Sequence, residues 1–352
     1  MTNFVVCGGA GSVGGLFCRL FGNSGDVVTV DREQGRHVQG DVTHPSRNVN
    51  AVLATADVVL LALPEKACEA AIPVVASTMR AGALLADTSS VKATVAALLA
   101  EAAERHDLET LSLNPMFAPT LDPAGRPVAT VTIRGGPRTD LVCRLLRDAS
   151  LRLVPVTADE HDHLTALTQV ATHASVLAFG QALVAGGCDV DKLVRLAPPP
   201  HLAMLALLAR IVRGSPEVYW DIQAGNAEAE RARQDLRAGL DHLSTVVTFA
   251  HRPGFARTLD EIADKLGPCG GDLAARCAEM LARPELGRVS DVPIAIAGPD
   301  AVPDATGGTP KDNQYSRRPA GDARNRPAEA RFRPPAGAGS HRPGHLKHDL
   351  RT

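Results

Sequence analysis

Near its start the chain runs Val5-Val6-Cys7-Gly8-Gly9-Ala10-Gly11-Ser12-Val13-Gly14, and an acid, Asp31, closes the next apolar run, Val27 to Val30. Glycines at this spacing, between a strand and a helix, are suited to holding a pyrophosphate. Gly9 is expected to allow the tight strand-to-helix turn. Gly11 lets backbone approach the phosphates, and Gly14 lets helix and strand pack closely. The amides of Ser12 and Val13 stand at the helix N-terminus, where free N–H groups and the positive dipole end favour an anion. Asp31 can accept both hydroxyls of an adenosine ribose and repels a 2′-phosphate. That favours NAD over NADP, and the adjacent Arg32, also counted as a cofactor contact, weakens the preference.

Three further segments carry groups that could do chemistry. Asp87-Thr88-Ser89-Ser90-Val91-Lys92 follows a strand, so the Ser90 hydroxyl can reach a nicotinamide or a substrate. The competing use for Ser89 or Ser90 is helix capping. Leu113-Asn114-Pro115-Met116-Phe117-Ala118-Pro119 stiffens a loop with two prolines and aims a short amide, Asn114, at the cleft. On a later helix, His161, Thr165, Gln169 and His173 recur every fourth residue, joined by Thr168 and Thr172. Leu164, Leu167, Val170, Ala171, Ala174 and Leu177 take the other side. Gln169 and His173 on so apolar a helix call for a polar cleft to face. Glu160-His161-Asp162-His163 has metal-ligand residue types, but helix neighbours point apart, so no metal is expected.

The elements that must position these groups follow from apolar patterning. Candidate strands are 4–8, 27–31, 58–63, 83–87, 109–113, 128–133 and 151–156; candidate helices are 13–22, 66–78, 91–105 and 138–148. Apolar strands alternating with helices predict an α/β, Rossmann-type parallel sheet covered on both faces, over residues 1–157. Thr157-Ala-Asp-Glu160 is a capping box opening a long helix to Gly186-Gly187. From there the pattern is helical, so residues 158–290 are expected to be an all-α domain whose greasy helices form a homodimer interface. Residues 291–352 are rich in Pro, Gly, Ala and Arg, with little to bury, and predict a disordered tail.

Composition sets outer bounds. The 352 residues suffice for two cores, and a net charge of −2 gives no reason to expect nucleic acid as a partner. Seven scattered Cys without a CxxC pair suit reduced thiols, not a disulfide framework or zinc site. No export signal opens the chain and no apolar run is membrane-length, so a cytoplasmic protein with a small-molecule substrate and no membrane contact is expected.

Taken as a set, these motifs resemble the prephenate/arogenate dehydrogenase family, from about residue 3 to about 285. The carriers are Gly-Gly-x-Gly-x-x-Gly at 8–14, Asp-x-x-Ser-Val-Lys at 87–92, Asn-Pro-Met-Phe-x-Pro at 114–119, Asp159-Glu160-His161-Asp162, Gln169-x-x-x-His173, and Arg210 ahead of Ser215-Pro216-x-x-Tyr219-x-Asp221-Ile222. The resemblance implies NAD(P)-dependent oxidation of a cyclohexadiene. Hydride leaves the hydroxyl-bearing ring carbon, the quaternary carbon loses carbon dioxide, and the ring becomes aromatic. It implies Ser90 beside nicotinamide and substrate, His173 and Gln169 lining the substrate pocket, and Arg210 clamping a carboxylate through a bidentate guanidinium.

The chain departs from that pattern at Asn114, where the family has a histidine that accepts a hydrogen bond from the ring hydroxyl and polarises it as hydride leaves. Asn accepts a hydrogen bond but takes no proton near neutral pH. Ala118 replaces a glycine, and a second carboxylate-binding Arg is absent near His201-Leu202. An amine in place of the hydroxyl needs no base in the hydride step, because its lone pair expels the hydride. The expected substrate is therefore 4-amino-4-deoxyprephenate, giving 4-aminophenylpyruvate, in antibiotic pathways that make 4-aminophenylalanine. The alternatives are a prephenate dehydrogenase of tyrosine biosynthesis and a non-catalytic NAD-binding regulator. β-Hydroxyacid dehydrogenases need a helix lysine, which residues 158–186 lack.

Overall fold

A computed structural model describes residues 1–33, 37–187 and 189–282. Its strands are β1 (Thr2–Cys7), β2 (Gly25–Asp31), β3 (Val38–Gln39), β4 (Val58–Leu61), β5 (Leu84–Asp87), β6 (Glu109–Pro115), β7 (Pro127–Arg134) and β8 (Arg152–Pro155). They form one sheet in the order β3-β2-β1-β4-β5-β6-β7-β8. Successive side chains on a strand point to opposite faces, so the apolar central strands feed two cores. Val5, Cys7, Val59, Leu61 and Leu85 pack on one face with Ile72, Val75 and Leu99. Phe4, Val6, Val58, Leu60 and Leu84 pack on the other with Phe17, Phe21 and Val142.

The covering helices are α1 (Ser12–Gly22), α2 (Arg47–Thr55), α3 (Glu65–Thr78), α4 (Ala93–His106) and α5 (Pro137–Asp148). Strand order reverses beside β1, which has β2 on one side and β4 on the other. In an open parallel sheet the crevice at that switch point, beyond the carboxyl ends of the strands, is where ligands sit.

The sheet departs from the expected all-parallel arrangement at one place. β6 and β7 pair antiparallel, while β7 and β8 are parallel. The 116–126 connection has no helix, and a parallel return needs a crossover of a dozen or more residues. Two small elements had no expectation. β3 is two residues long, and α2 buries only Val49 and Leu53, too short an apolar pattern to read.

After β8 the described residues hold helices and no strand. These are α6 (Ala158–Thr165), a π-helical stretch Ala166–Ala171, α7 (Thr172–Gly186), α8 (Val190–Leu196), α9 (Pro199–Val212), α10 (Pro216–Gly225), α11 (Ala229–Thr248), α12 (Arg252–Leu266) and α13 (Cys269–Leu281). Thr157 Oγ1 accepts from Glu160 N at 3.1 Å, so the capping contact opens α6 as expected.

The π turn breaks the every-fourth-residue stripe, because it closes i to i+5. His161, Thr165 and Val170 are buried, whereas Thr168, Thr172, Leu164 and Leu167 are exposed. The polar side of α6, not its leucine side, is the one packed inward. The helical part has a small core of its own, Ala166, Val170, Ile222, Ala229 and Ala232. Leu240, Val247, Phe249, Leu259 and Ile262 are each more than half exposed. The tail expected over 291–352 lies outside the described residues. Among the described residues, no single helix is long and apolar enough to cross a membrane, and no three His, Cys, Asp or Glu side chains gather as metal ligands.

Candidate active site

β1 delivers the chain into the glycine loop, and the left-handed turn residue is Gly8, at φ +82°, where Gly9 was expected. A Cβ on Gly8 would lie 2.1 Å from Ala62 O, so backbone approach from β4 adds to the requirement. Gly9 is needed for packing instead: its Cβ would lie 2.6 Å from Thr29 Cγ2. Gly14 brings α1 against the loop, since a Cβ there would meet Gly8 O at 2.1 Å. Gly11 is the N-cap of α1 with no side-chain cap, which leaves the Ser12 and Val13 amides of the first turn for an anion.

Gly11, Asp31, Arg32, Thr43, Leu63 and Pro64 are among the residues lining a cavity of about 460 Å³. Asp31 sits at the end of β2. Its Oδ2 accepts from Ala10 N at 2.9 Å and its Oδ1 from Glu33 N at 3.2 Å. Each oxygen keeps a lone pair for a ribose hydroxyl. The carboxylate and the open glycine backbone fit a dinucleotide.

A second cluster stands where β5 and β6 end side by side, with Asp87 in register with Ser112. The organising group is Lys92, fully buried, whose Nζ donates to Ser89 O at 2.6 Å and Leu113 O at 2.9 Å. Asp87 Oδ2 is 3.9 Å away. Burial pushes the Lys92 ammonium below its ordinary pKa, while Asp87 opposes that. One side chain thus ties the Ser90 segment to the Asn114 segment. α4 starts at Ala93, not at 91, with Lys92 as its N-cap and its first amides taken by the Asp162 carboxylate, so Ser90 is not spent on capping. Asn114 lies within β6, paired with Ala129, and is 4% exposed. The strand holds it, not the loop expected from the prolines.

Behind Asn114 is a contact that spacing could not reveal. Asn114 Nδ2 and His161 Nε2 are 3.0 Å apart. His161 Nδ1 and Asp162 Oδ1 are 2.8 Å apart. Asp162 also accepts from Lys92 N at 2.8 Å and Ala93 N at 2.9 Å. Burial pushes the Asp162 carboxyl up, but the hydrogen bonds from His161, Lys92 and Ala93 outweigh it and hold it below the usual range. Burial holds the His161 imidazole below its ordinary pKa, and Asp162 only partly offsets that. His161 is therefore neutral near pH 7. The Glu160–His163 run that resembled metal ligands on paper instead splits. His161 and Asp162 turn inward, while His163 meets Glu228 at 2.9 Å on the surface.

The other site candidates come from the helical part. Gln169, in the π stretch, reaches Met116 Sδ at 3.8 Å, and its Oε1 is buried without a partner. His173 lies edge-on to Tyr219, centroids 5.0 Å apart, with Nδ1 buried and unpartnered. Burial, then the nearby Arg210 charge, lowers its pKa. Arg210 is exposed, in the last turn of α9. His201 stands where a second Arg was missed, edge-on to Phe179. Glu65, at the start of α3, had no sequence signal. Burial, with Asp221 adding, pushes its carboxyl up to about 7.

Comparison with known proteins identifies the family. Residues 15–122 match the prephenate dehydrogenase nucleotide-binding domain, and residues 157–261 the prephenate dehydrogenase dimerization domain. A 4-amino-4-deoxyprephenate dehydrogenase of Streptomyces pristinaespiralis is 47% identical over 283 residues, covering 78% of this chain and 95% of the relative. The T-protein of Haemophilus influenzae is 28% identical over 265 residues, covering 75% of this chain and 67% of its own. Aquifex aeolicus prephenate dehydrogenase, solved with hydroxyphenyl propionate and NAD+, shares the fold. Its TM-score is 0.58 at 18% identity, covering 75% of this chain and 97% of that one. The chain belongs to the prephenate dehydrogenase family.

Proposed function

We propose that this chain oxidises and decarboxylates 4-amino-4-deoxyprephenate to 4-aminophenylpyruvate with NAD. The observation that carries the reading is Asn114. A side chain that cannot take a proton stands where the family resemblance puts the ring substituent's partner, with its Nδ2 engaged by His161 and its Oδ1 left as an acceptor. The 47% identical relative bears the name of that activity. NAD, when bound, supplies the hydride acceptor. The C–H bond at the amine-bearing carbon breaks with its electron pair leaving as hydride, and the nitrogen lone pair forms the C=N bond. The bond to the carboxylate then breaks. Its pair enters the ring, carbon dioxide leaves, and the aromatic amine results. Ser90 and Asn114 orient the amine, Gln169 and His173 line the ring, and Arg210 binds a carboxylate.

The division of labour follows the chain. Residues 1–157 hold the dinucleotide, through Gly9, Gly11, Ser12, Val13, Gly14, Asp31 and Arg32, and residues 158–290 supply substrate contacts and a homodimer interface. Support for the homodimer is the dimerization-domain match together with the exposed Leu240, Val247, Phe249, Leu259 and Ile262. We place the enzyme in the cytoplasm, with its cofactor. The test of the whole reading is NADH formation by purified protein given each of the two dienes.

Two variants check the binding roles. Asp31→Ala is expected to weaken NAD about tenfold or more and NADP far less, since it removes charge-assisted bonds to the ribose. Titration of each cofactor measures this, and equal affinity of the wild type for both would remove the role. Arg210→Ala is expected to raise KM for the diene by about tenfold to a hundredfold, the worth of hydrogen bonds to a charged group, with NAD affinity unchanged. An unchanged KM would place the carboxylate elsewhere.

A further inference from the structure

We propose that His161, held by Asp162, is a positioning residue that fixes which end of the Asn114 amide the ring substituent meets. The argument starts at Asp162. Its Oδ1 and Oδ2 take the backbone amides of Lys92 and Ala93 from the start of α4, and its Oδ1 also meets His161 Nδ1. A carboxylate only accepts, so the proton on the His161 ring sits on Nδ1 and Nε2 carries a bare lone pair. The group facing that lone pair is Asn114, 3.0 Å away. Only the NH2 end of an amide can donate to it. Turned over, Oδ1 would face the lone pair, losing one bond and adding a repulsion.

The amide is thus locked with Nδ2 inward, and Oδ1 is the end left to accept from a ligand. Neither Asn114 nor its strand dictates this, since an amide is nearly symmetric in shape. The direction is set from another element, α6, and ultimately by the first turn of α4. Lys92 makes the lock shared, because its Nζ also holds Ser89 O and Leu113 O, the residues beside Ser90 and Asn114. An acceptor presented here suits an N–H donor and gives nothing to a group that needs a donor. This rests on the amine reading above and extends it from Asn114 to the pair that aims it.

The test uses the full-length enzyme. In His161→Leu the amide is free to rotate, and kcat/KM for 4-amino-4-deoxyprephenate is expected to fall about tenfold, near the net worth of one hydrogen bond, with the NAD dissociation constant unchanged. His161→Gln, whose side-chain oxygen can accept from the same Nδ2, is expected to recover most of the loss. A merely structural role predicts no such split between Leu and Gln. An unchanged kcat/KM in His161→Leu overturns the proposal, as does a Gln variant that binds NAD normally but is no better than Leu.

A measurement without substrate decides the case where His161→Leu does not fold. With 15N-histidine labelling, and His161→Gln as the assignment control, long-range 1H–15N couplings near neutral pH are expected to place the His161 proton on Nδ1. A proton on Nε2 overturns the lock. Wild type that prefers prephenate would remove the substrate reading while the tautomer result stands, so the two failures are distinguishable.

Discussion

Wild-type protein supplied with NAD is expected to turn over 4-amino-4-deoxyprephenate at least about a hundredfold better than prephenate in kcat/KM, the lower end of a general base's contribution. The reason is at Asn114. An alcohol gives up hydride readily only as its proton is taken, and no group at this position takes one. His161 sits behind the amide with its Nε2 already engaged, and Asp162 holds its other nitrogen. An amine needs no such help once it is unprotonated, because its lone pair supplies the push. Asn114→His should therefore raise activity on prephenate, incompletely, because His201 stands where a second carboxylate-binding Arg is missing. The measurement is NADH absorbance with each diene. Equal turnover of both dienes by wild type would make Asn114 a tolerated replacement and end the amine reading. Binding of NAD with turnover of neither would leave the regulator.

The second large effect is on stability. Asp162→Ala is expected to cost about 3–5 kcal/mol, because it strands the buried Lys92 amide, the part-buried Ala93 amide and the His161 ring. For a protein of this size that corresponds to a fall in melting temperature of about 10 °C. Thermal unfolding followed by circular dichroism checks it, and a change of a degree or two would show that water replaces the carboxylate. The sign of the pH dependence follows from the direction of the shift. The Asp162 carboxyl is held below its unfolded value of 3.8, so the stability it contributes is complete above that value. It is lost as the pH falls through the folded value. In the Ala variant this part of the acid sensitivity disappears.

What the sequence determined by itself is what local spacing can encode. The glycine loop and Asp31 pointed to a dinucleotide, since a turn, a helix start and a strand end are all within reach of one another along the chain. Apolar runs marked seven of the eight described strands, because the central strands, covered on both faces, are largely apolar. The family motifs, and the loss of the base at Asn114, were equally visible, since they depend on residue identity and not on contact.

Tertiary structure decided the rest, for reasons of distance and direction. β7 runs antiparallel because the 116–126 link has no crossover helix, which apolar patterning does not register. The turn residue is Gly8 and not Gly9, because β4 crowds the backbone there. The stripe from His161 to His173 was drawn with a constant helical period, and the π stretch at Ala166–Ala171 shifts its second half. His161 was placed on a polar stripe and Asp162 had no assigned partner, yet they bridge Asn114, 47 residues upstream, and the Lys92 amide, 70 residues upstream. Periodicity reports which face of an element is buried; it carries no information about which partner a polar side chain finds there. That partner, and with it the direction in which Asn114 presents its oxygen, exists only once α4, α6 and β6 are packed together.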